Sequence, residues 1–148
     1  MFLEFRVNLL AVGKQEGATT RTRKDGRRYP YIYTKPTSRR FMADVKAAAE
    51  LAVRQDGGKC WPTDDALSVD IIFFLPRGKS IPKGRRFPIC KPDCTNVQKA
   101  VEDALHKVVF KNDSHVVDIA THKRYCADGD EPHILVTVWT AGTRKLVF

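Results

Sequence analysis

The stretch KPDCTNVQKAVEDALHKVVFKNDSHVVD, Lys91–Asp118, decides how the rest of the chain is read. Val97, Ala100, Val101, Ala104, Leu105 and Val108 recur at the spacing of one helical face, which predicts a helix over 96–107 with that face buried. Gln98, Lys99, Glu102, Asp103 and His106 fall on the opposite side, toward solvent or a ligand, and Lys99 lies one turn from both acids. Thr95 followed by Gln98 reads as a capping box, with Asn96 as the competing cap. Asp93 then lies at the positive end of the helix, where carboxylates and phosphates are both stabilised. A second carboxylate, Asp113, precedes the next strand. Asp93, Lys99 and Asp113 are far apart in sequence, yet a helix, turn and strand can bring them around one phosphate. Two carboxylates hold a hard divalent cation through oxygen, and a lysine neutralises charge on a phosphate in transit. These residues point to metal-dependent phosphodiester hydrolysis on nucleic acid. Asp93 and Asp113 would hold magnesium or manganese, and Lys99 would stabilise the charge that builds on the phosphoryl oxygens.

Upstream, Leu67–Leu75 (LSVDIIFFL) reads as a central strand, apolar on both faces toward its end. Residues 2–10 alternate, with Leu3, Phe5, Val7 and Leu9 on one face, and predict a half-buried strand. Tyr29-Pro30-Tyr31-Ile32-Tyr33 is short, aromatic and extended; its rings cover a core edge or stack on bases. A helix over about 39–54 buries Phe41, Val45, Ala48, Ala49, Ala52 and Val53, and Asp56-Gly57-Gly58 ends it. Downstream, Val108-Val109-Phe110 and a turn at 111–113 lead to a strand over 115–125. Asp128-Gly129-Asp130 is a hairpin signal, and Ile134–Thr140 returns as another strand. The order predicts one α/β domain over 1–148, with a mixed sheet and helices packed on one face.

Net charge is +9, from 26 basic and 17 acidic side chains, which favours a polyanionic partner. The basic residues cluster. Lys14, Arg21, Arg23, Lys24, Arg27 and Arg28 lie in one Gly/Thr-rich segment. Arg77, Lys79, Lys83, Arg85, Arg86 and Lys91 lie in another, broken by prolines. Both read as mobile loops suited to phosphate contacts. No apolar run approaches the roughly 20 residues that span a bilayer, and MFLEFRVNLL has neither a basic leader nor a cleavage site. A cytoplasmic location is the expectation. Cys90 and Cys94 lack a second close pair for zinc, so the four cysteines read as free thiols. His115, two residues after Asp113, is either a hydrogen-bonded surface residue or a general base beside the metal.

Lys91-Pro92-Asp93-Cys94-Thr95-Asn96-Val97-Gln98-Lys99-Ala100, then Asp103-Ala104-Leu105, then Asn112-Asp113-Ser114-His115-Val116 form a spaced set of about 26 residues. The set resembles the RusA family of Holliday-junction resolvases, whose pattern is K-P-D-x-D-N-L-x-K-A-x-x-D-A-L followed by D-D-x-Q-V. The resemblance implies a crossover junction endodeoxyribonuclease of phage or prophage type, dependent on Mg2+ (or Mn2+). Its metal-binding carboxylates fall on Asp93 and Asp113, and its catalytic lysine on Lys99. It implies a homodimer acting on four-way or branched DNA, with RNA the disfavoured polyanion. A two-fold axis would set one site at each of two symmetry-related strands. The apolar segment Phe73, Phe74 and Leu75 is one candidate pairing surface.

This chain departs from the pattern at three positions: Thr95 stands for the family's second aspartate, Asn112 for the first of its paired aspartates, and His115 for its glutamine. Thr95 offers a metal a neutral oxygen without charge, and Glu102, Asp103 or Asp118 is then the candidate third carboxylate. The alternative reading is a branched-DNA binder with an incomplete metal site and no cleavage.

Overall fold

A computed structural model describes residues 1–143. Its sheet is four-stranded, ordered β1 (Phe2–Val7), β6 (His133–Thr140), β4 (Leu67–Leu75), β5 (Val116–Tyr125). The central place of β4 follows from its sequence: Leu67, Val69, Ile71, Phe73 and Leu75 are all buried, while Ile72 and Phe74 are half-buried on the other face. It pairs parallel to β5 and antiparallel to β6, so the sheet is mixed. β1 alternates as expected, burying Leu3, Phe5 and Val7 along the far edge.

Helix α1 (Pro36–Gln55) starts three residues earlier than periodicity indicates, because Pro36 supplies a preset first-turn φ. It ends where expected. Asp56 closes the last turn, and Gly57 and Gly58 follow at positive φ with their amides on the carbonyls of Arg54 and Val53. Helix α2 (Cys94–Leu105) buries Val97, Ala100, Val101, Ala104 and Leu105. α1 packs on β1, α2 packs on β5, and the helices pack on each other, which sets both on one face of the sheet. The core joins that face to Trp61, Val109 and Phe110.

Four expectations need correction. The turn at 127–130 exists, with Gly129 at φ 79°, but β5 and β6 do not form a hairpin; they flank β4, so the turn carries the chain across it. A local turn signal carries no information about which strand lies between. Thr95 and Gln98 form no capping box, since α2 begins at Cys94 with Asp93 in the cap position. Phe73 and Leu75 are buried in the central strand and Phe74 stacks on His133 with ring centroids 4.2 Å apart, so this segment is no pairing surface. Finally, the first basic segment is not a loop. Glu16–Thr22 (β2) and Arg28–Thr34 (β3) pair antiparallel as a separate two-stranded ribbon. Its Thr-rich first strand lacks the apolar alternation by which strands are recognised.

Candidate active site and nucleic-acid interface

The loop from Asn8 to Gln15 is stapled down over the start of both helices. Ser38, fully buried on α1, donates its hydroxyl to the Gly13 carbonyl at 2.9 Å and accepts from the Gln15 amide at 3.0 Å. The Lys14 amide donates to the Asn96 carbonyl at 2.8 Å. A side chain at position 13 would meet the Asn96 Cβ at 2.8 Å, so glycine is what allows the loop to lie on α2. This closure forms a cleft of about 580 Å3 lined by Gly13, Glu16, Lys35, Lys91, Asp93 and Asn96, among others. A second cavity of about 420 Å3 adjoins it and is lined by Lys14, Glu16, Asn96 and Lys99.

Asp93, Asn96, Lys99 and Asp103 follow one another at helical spacing along a single stripe of α2. Asp93 is exposed at the positive end of the helix, and its carboxylate makes no capping bond of its own. Lys99 does not pair with Glu102 or Asp103, as its spacing allowed. Asp103 is held instead by the Lys14 ammonium at 2.7 Å, and that hydrogen bond raises the Lys14 pKa above its ordinary value. Among the described residues Lys99 therefore has no ion-pair or hydrogen-bond partner. Burial raises the Glu102 pKa; a hydrogen bond from Gln98 opposes this, and the charges of Asp113 and Asp103 add to the rise.

Asp113 opens a short 3-10 turn, Asp113–His115, just before β5. Asn112, standing where the family pattern has an acid, caps that turn by accepting from the Ser114 amide at 3.1 Å. His115 buries Nδ1 without a hydrogen-bond partner among the described residues. Asp113 and Asp93 lie at opposite ends of α2. Glu102, which feels the Asp113 charge, is nine residues along from Asp93, about 13 Å of helix. The strand agrees: Lys123 near the far end of β5 donates to the carbonyls of Cys90 and Pro92, beside Asp93, whereas Asp113 precedes its first residue. The convergence of Asp93 and Asp113 expected within one chain is thus not formed. Their oxygens suit a hard cation, but within one chain Asp93 shares its cleft with Glu16 and Asp113 lies toward Glu102, so the two aspartates do not meet at one ion. Among the described residues no three His, Cys, Asp or Glu side chains are grouped to hold a metal. Thr95 is exposed in the first turn of α2, and Asp118 lies on β5 opposite Ser68.

The sequence did not single out Glu16, Lys35 or Asn96 as site residues. Glu16 is masked by the basic residues around it, and Asn96 by its reading as a cap. Of the second basic segment, Arg77 is engaged internally, donating to the carbonyls of Pro82, Lys83 and Arg85 and lying over the Tyr125 ring. It organises the loop that carries the exposed Lys79, Lys83, Arg85 and Arg86. Among the described residues no helix is long and apolar enough to cross a membrane.

Residues 12–139 match the protein family described as endodeoxyribonuclease RusA. A similar protein is the "Uncharacterized protein YqaN" of Bacillus subtilis (strain 168), 34% identical over 82 residues, which cover 49% of this chain. The match spans 56% of that protein's length.

Proposed function

Since the chain belongs to the RusA family of endodeoxyribonucleases, we propose that it cuts four-way and other branched DNA by metal-assisted phosphodiester hydrolysis. The observation that carries this reading is the placing of two groups on one stripe of α2: the Asp93 carboxylate, which makes no capping bond, and the Lys99 ammonium, which has no partner among the described residues. The adjoining cavities that share Glu16 and Asn96 give a phosphate room between them. A magnesium or manganese ion held there would lower the pKa of a bound water and screen the scissile phosphate. Lys99 stabilises the charge on the phosphoryl oxygens. Lys14, fixed on Asp103, holds the wall of the cleft, and Lys35 and Lys91 draw the backbone toward it.

The separation of Asp93 from Asp113 favours a dimer. β5 is the outer strand of the sheet and α2 packs along it. Two copies laid antiparallel along β5 about a two-fold axis would bring the head of one α2 beside the tail of the other. Asp93 of one protomer then approaches the partner's Asp113, and two such sites serve the two strands of a junction. The test is cleavage of a synthetic four-way junction with and without magnesium, by wild type, Asp93→Asn, Asp113→Asn and a mixture of the two variants. Each variant alone should be inactive. The mixture should recover nicking, because a mixed dimer keeps one intact site. No recovery would rule out the shared site, and full activity of either variant alone would rule out the role of that aspartate.

A binder without cleavage is the second reading, favoured by Thr95 standing where an acid is expected. Thr95→Asp separates the two. A large gain in cleavage would mean the natural site is incomplete; an unchanged rate would mean it is sufficient.

A further inference from the structure

The β2–β3 ribbon carries a feature that phosphate binding does not use. Tyr29, Tyr31 and Tyr33 alternate along β3 and so project from one face, with Gly17, Thr19 and Arg21 opposite them on β2. The Arg21 guanidinium lies 3.4 Å above the centre of the Tyr31 ring, and Arg23 lies 5.3 Å from that of Tyr29. Tyr31 and Tyr33 are near-parallel, 12° apart, with centroids at 6.5 Å. Tyr33 in turn lies over Gly17, where a Cβ would come within 2.4 Å of its ring. The result is a run of flat groups along one face of the ribbon. Neither strand packs extensively on the helices or the main sheet, so this run does not serve the core, and Ile32 on the opposite face is 67% exposed.

We propose that this face is a stacking platform for unpaired DNA bases at the branch point, a reading that rests on branched DNA as substrate. The choice of occupant follows from charge and shape together. Five basic side chains, Arg21, Arg23, Lys24, Arg27 and Arg28, outnumber the ribbon's two acids, Asp25 at the turn and Glu16 at the opposite end, which suits a polyanion. Paired bases present only their edges to a protein, whereas unpaired ones expose the flat faces that tyrosine and guanidinium planes accept. A branch point is where unpaired faces become available in an otherwise duplex substrate.

The experiment uses the full chain in EDTA at fixed salt, with three probes: a four-way junction, a linear duplex of the same sequence and a dT oligonucleotide. Tyr31→Leu should weaken dT and junction binding by about tenfold and linear-duplex binding by less than twofold. Tyr31→Phe, which keeps the ring face, should bind as wild type does. 5-Iododeoxyuridine at the crossover should cross-link to Tyr31 or Tyr33. Equal losses on all three probes, no loss on dT, or a Phe variant as weak as the Leu variant would overturn the platform. Failure of the branched-DNA reading looks different: wild type would then show no preference for the junction over the duplex, whatever the variants do.

Discussion

Gly13 and Gly17 stand four residues apart and belong to two kinds of structure. Gly13 is buried against Asn96 on α2 and its carbonyl is tied to the buried Ser38 hydroxyl, so the loop there is part of the core's edge. Gly17 lies under the Tyr33 ring on a ribbon whose contacts are mostly its own. A reacting phosphate has to be held to within fractions of an ångström, which needs rigid walls. A branched substrate varies in shape, and an arm that stands off from the body can follow it. The same short segment of chain thus supplies a fixed cleft wall and then an arm.

The largest effect that tests this division is chemical. Asp93→Asn should reduce junction cleavage by about a hundredfold or more while junction affinity stays equal or rises, since a negative charge near phosphate has been removed. Gel-shift and single-turnover cleavage measured side by side check it. Lost affinity would mean that the cleft, and not the basic ribbon, supplies the binding.

Next comes the anchoring of the wall. Gly13→Ala forces the Asn96 Cβ and the loop apart, which should cost about 1–3 kcal/mol and lower the melting temperature by several degrees. Ser38→Ala leaves the Gly13 carbonyl and the Gln15 amide without their partner and should cost about 1–3 kcal/mol. Thermal unfolding measures both, and both should slow cleavage. A full-rate enzyme in either variant would mean the wall need not be rigid.

Glu102 gives a smaller effect with a definite sign. Its folded pKa is raised, first by burial, so the protonated form is favoured. The stability it contributes is present below its ordinary value of 4.5 and is lost as pH rises through the raised value. Glu102→Gln should therefore be more stable than wild type at pH 7, by less than about 1 kcal/mol given partial exposure, and no more stable at pH 4. Melting curves at the two pH values decide it. An unchanged difference between them would show that Glu102 is not the group being titrated.

What the sequence disclosed follows from how local each signal is. The helix stripe Val97–Leu105, the Gly57-Gly58 stop and the apolar run of β4 are set by residues a few positions apart and emerged as read, as did the alternation of β1, though that strand stops at Val7 and not at residue 10. The placement of β6 beyond β4 depends on a pairing some 65 residues apart that no turn residue encodes. The position of Asp93 at the head of α2 was legible because its motif is contiguous with that helix. The partner of Lys14 was not, since Asp103 meets it only after the Asn8–Gln15 loop has folded onto α2. β2 escaped notice because Gly17, Ala18, Thr19 and Thr20 bury nothing that would leave a pattern. The distance between Asp93 and Asp113 was equally hidden, because a motif fixes spacing along the chain and says nothing of which end of a helix each residue reaches.

The smallest effect is the sharpest test. Gly17→Ala makes the same chemical change as Gly13→Ala, with a closer clash, 2.4 Å against 2.8 Å. If clash distance set the cost, it would be the worse variant. The atom met at position 17 belongs to the far end of the Tyr33 side chain, which turns away by rotating, whereas Asn96 Cβ is fixed to the helix backbone. Alanine also loses less chain entropy than glycine on entering a strand, an offset of about 0.5–1 kcal/mol. The melting temperature should therefore stay within about 1 °C of wild type, while amide exchange over 16–34 changes and dT binding weakens as the Tyr33 ring leaves its place. A fall in melting temperature as large as that of Gly13→Ala would mean that the ribbon is built into the core. The division between fixed wall and free arm would then be lost.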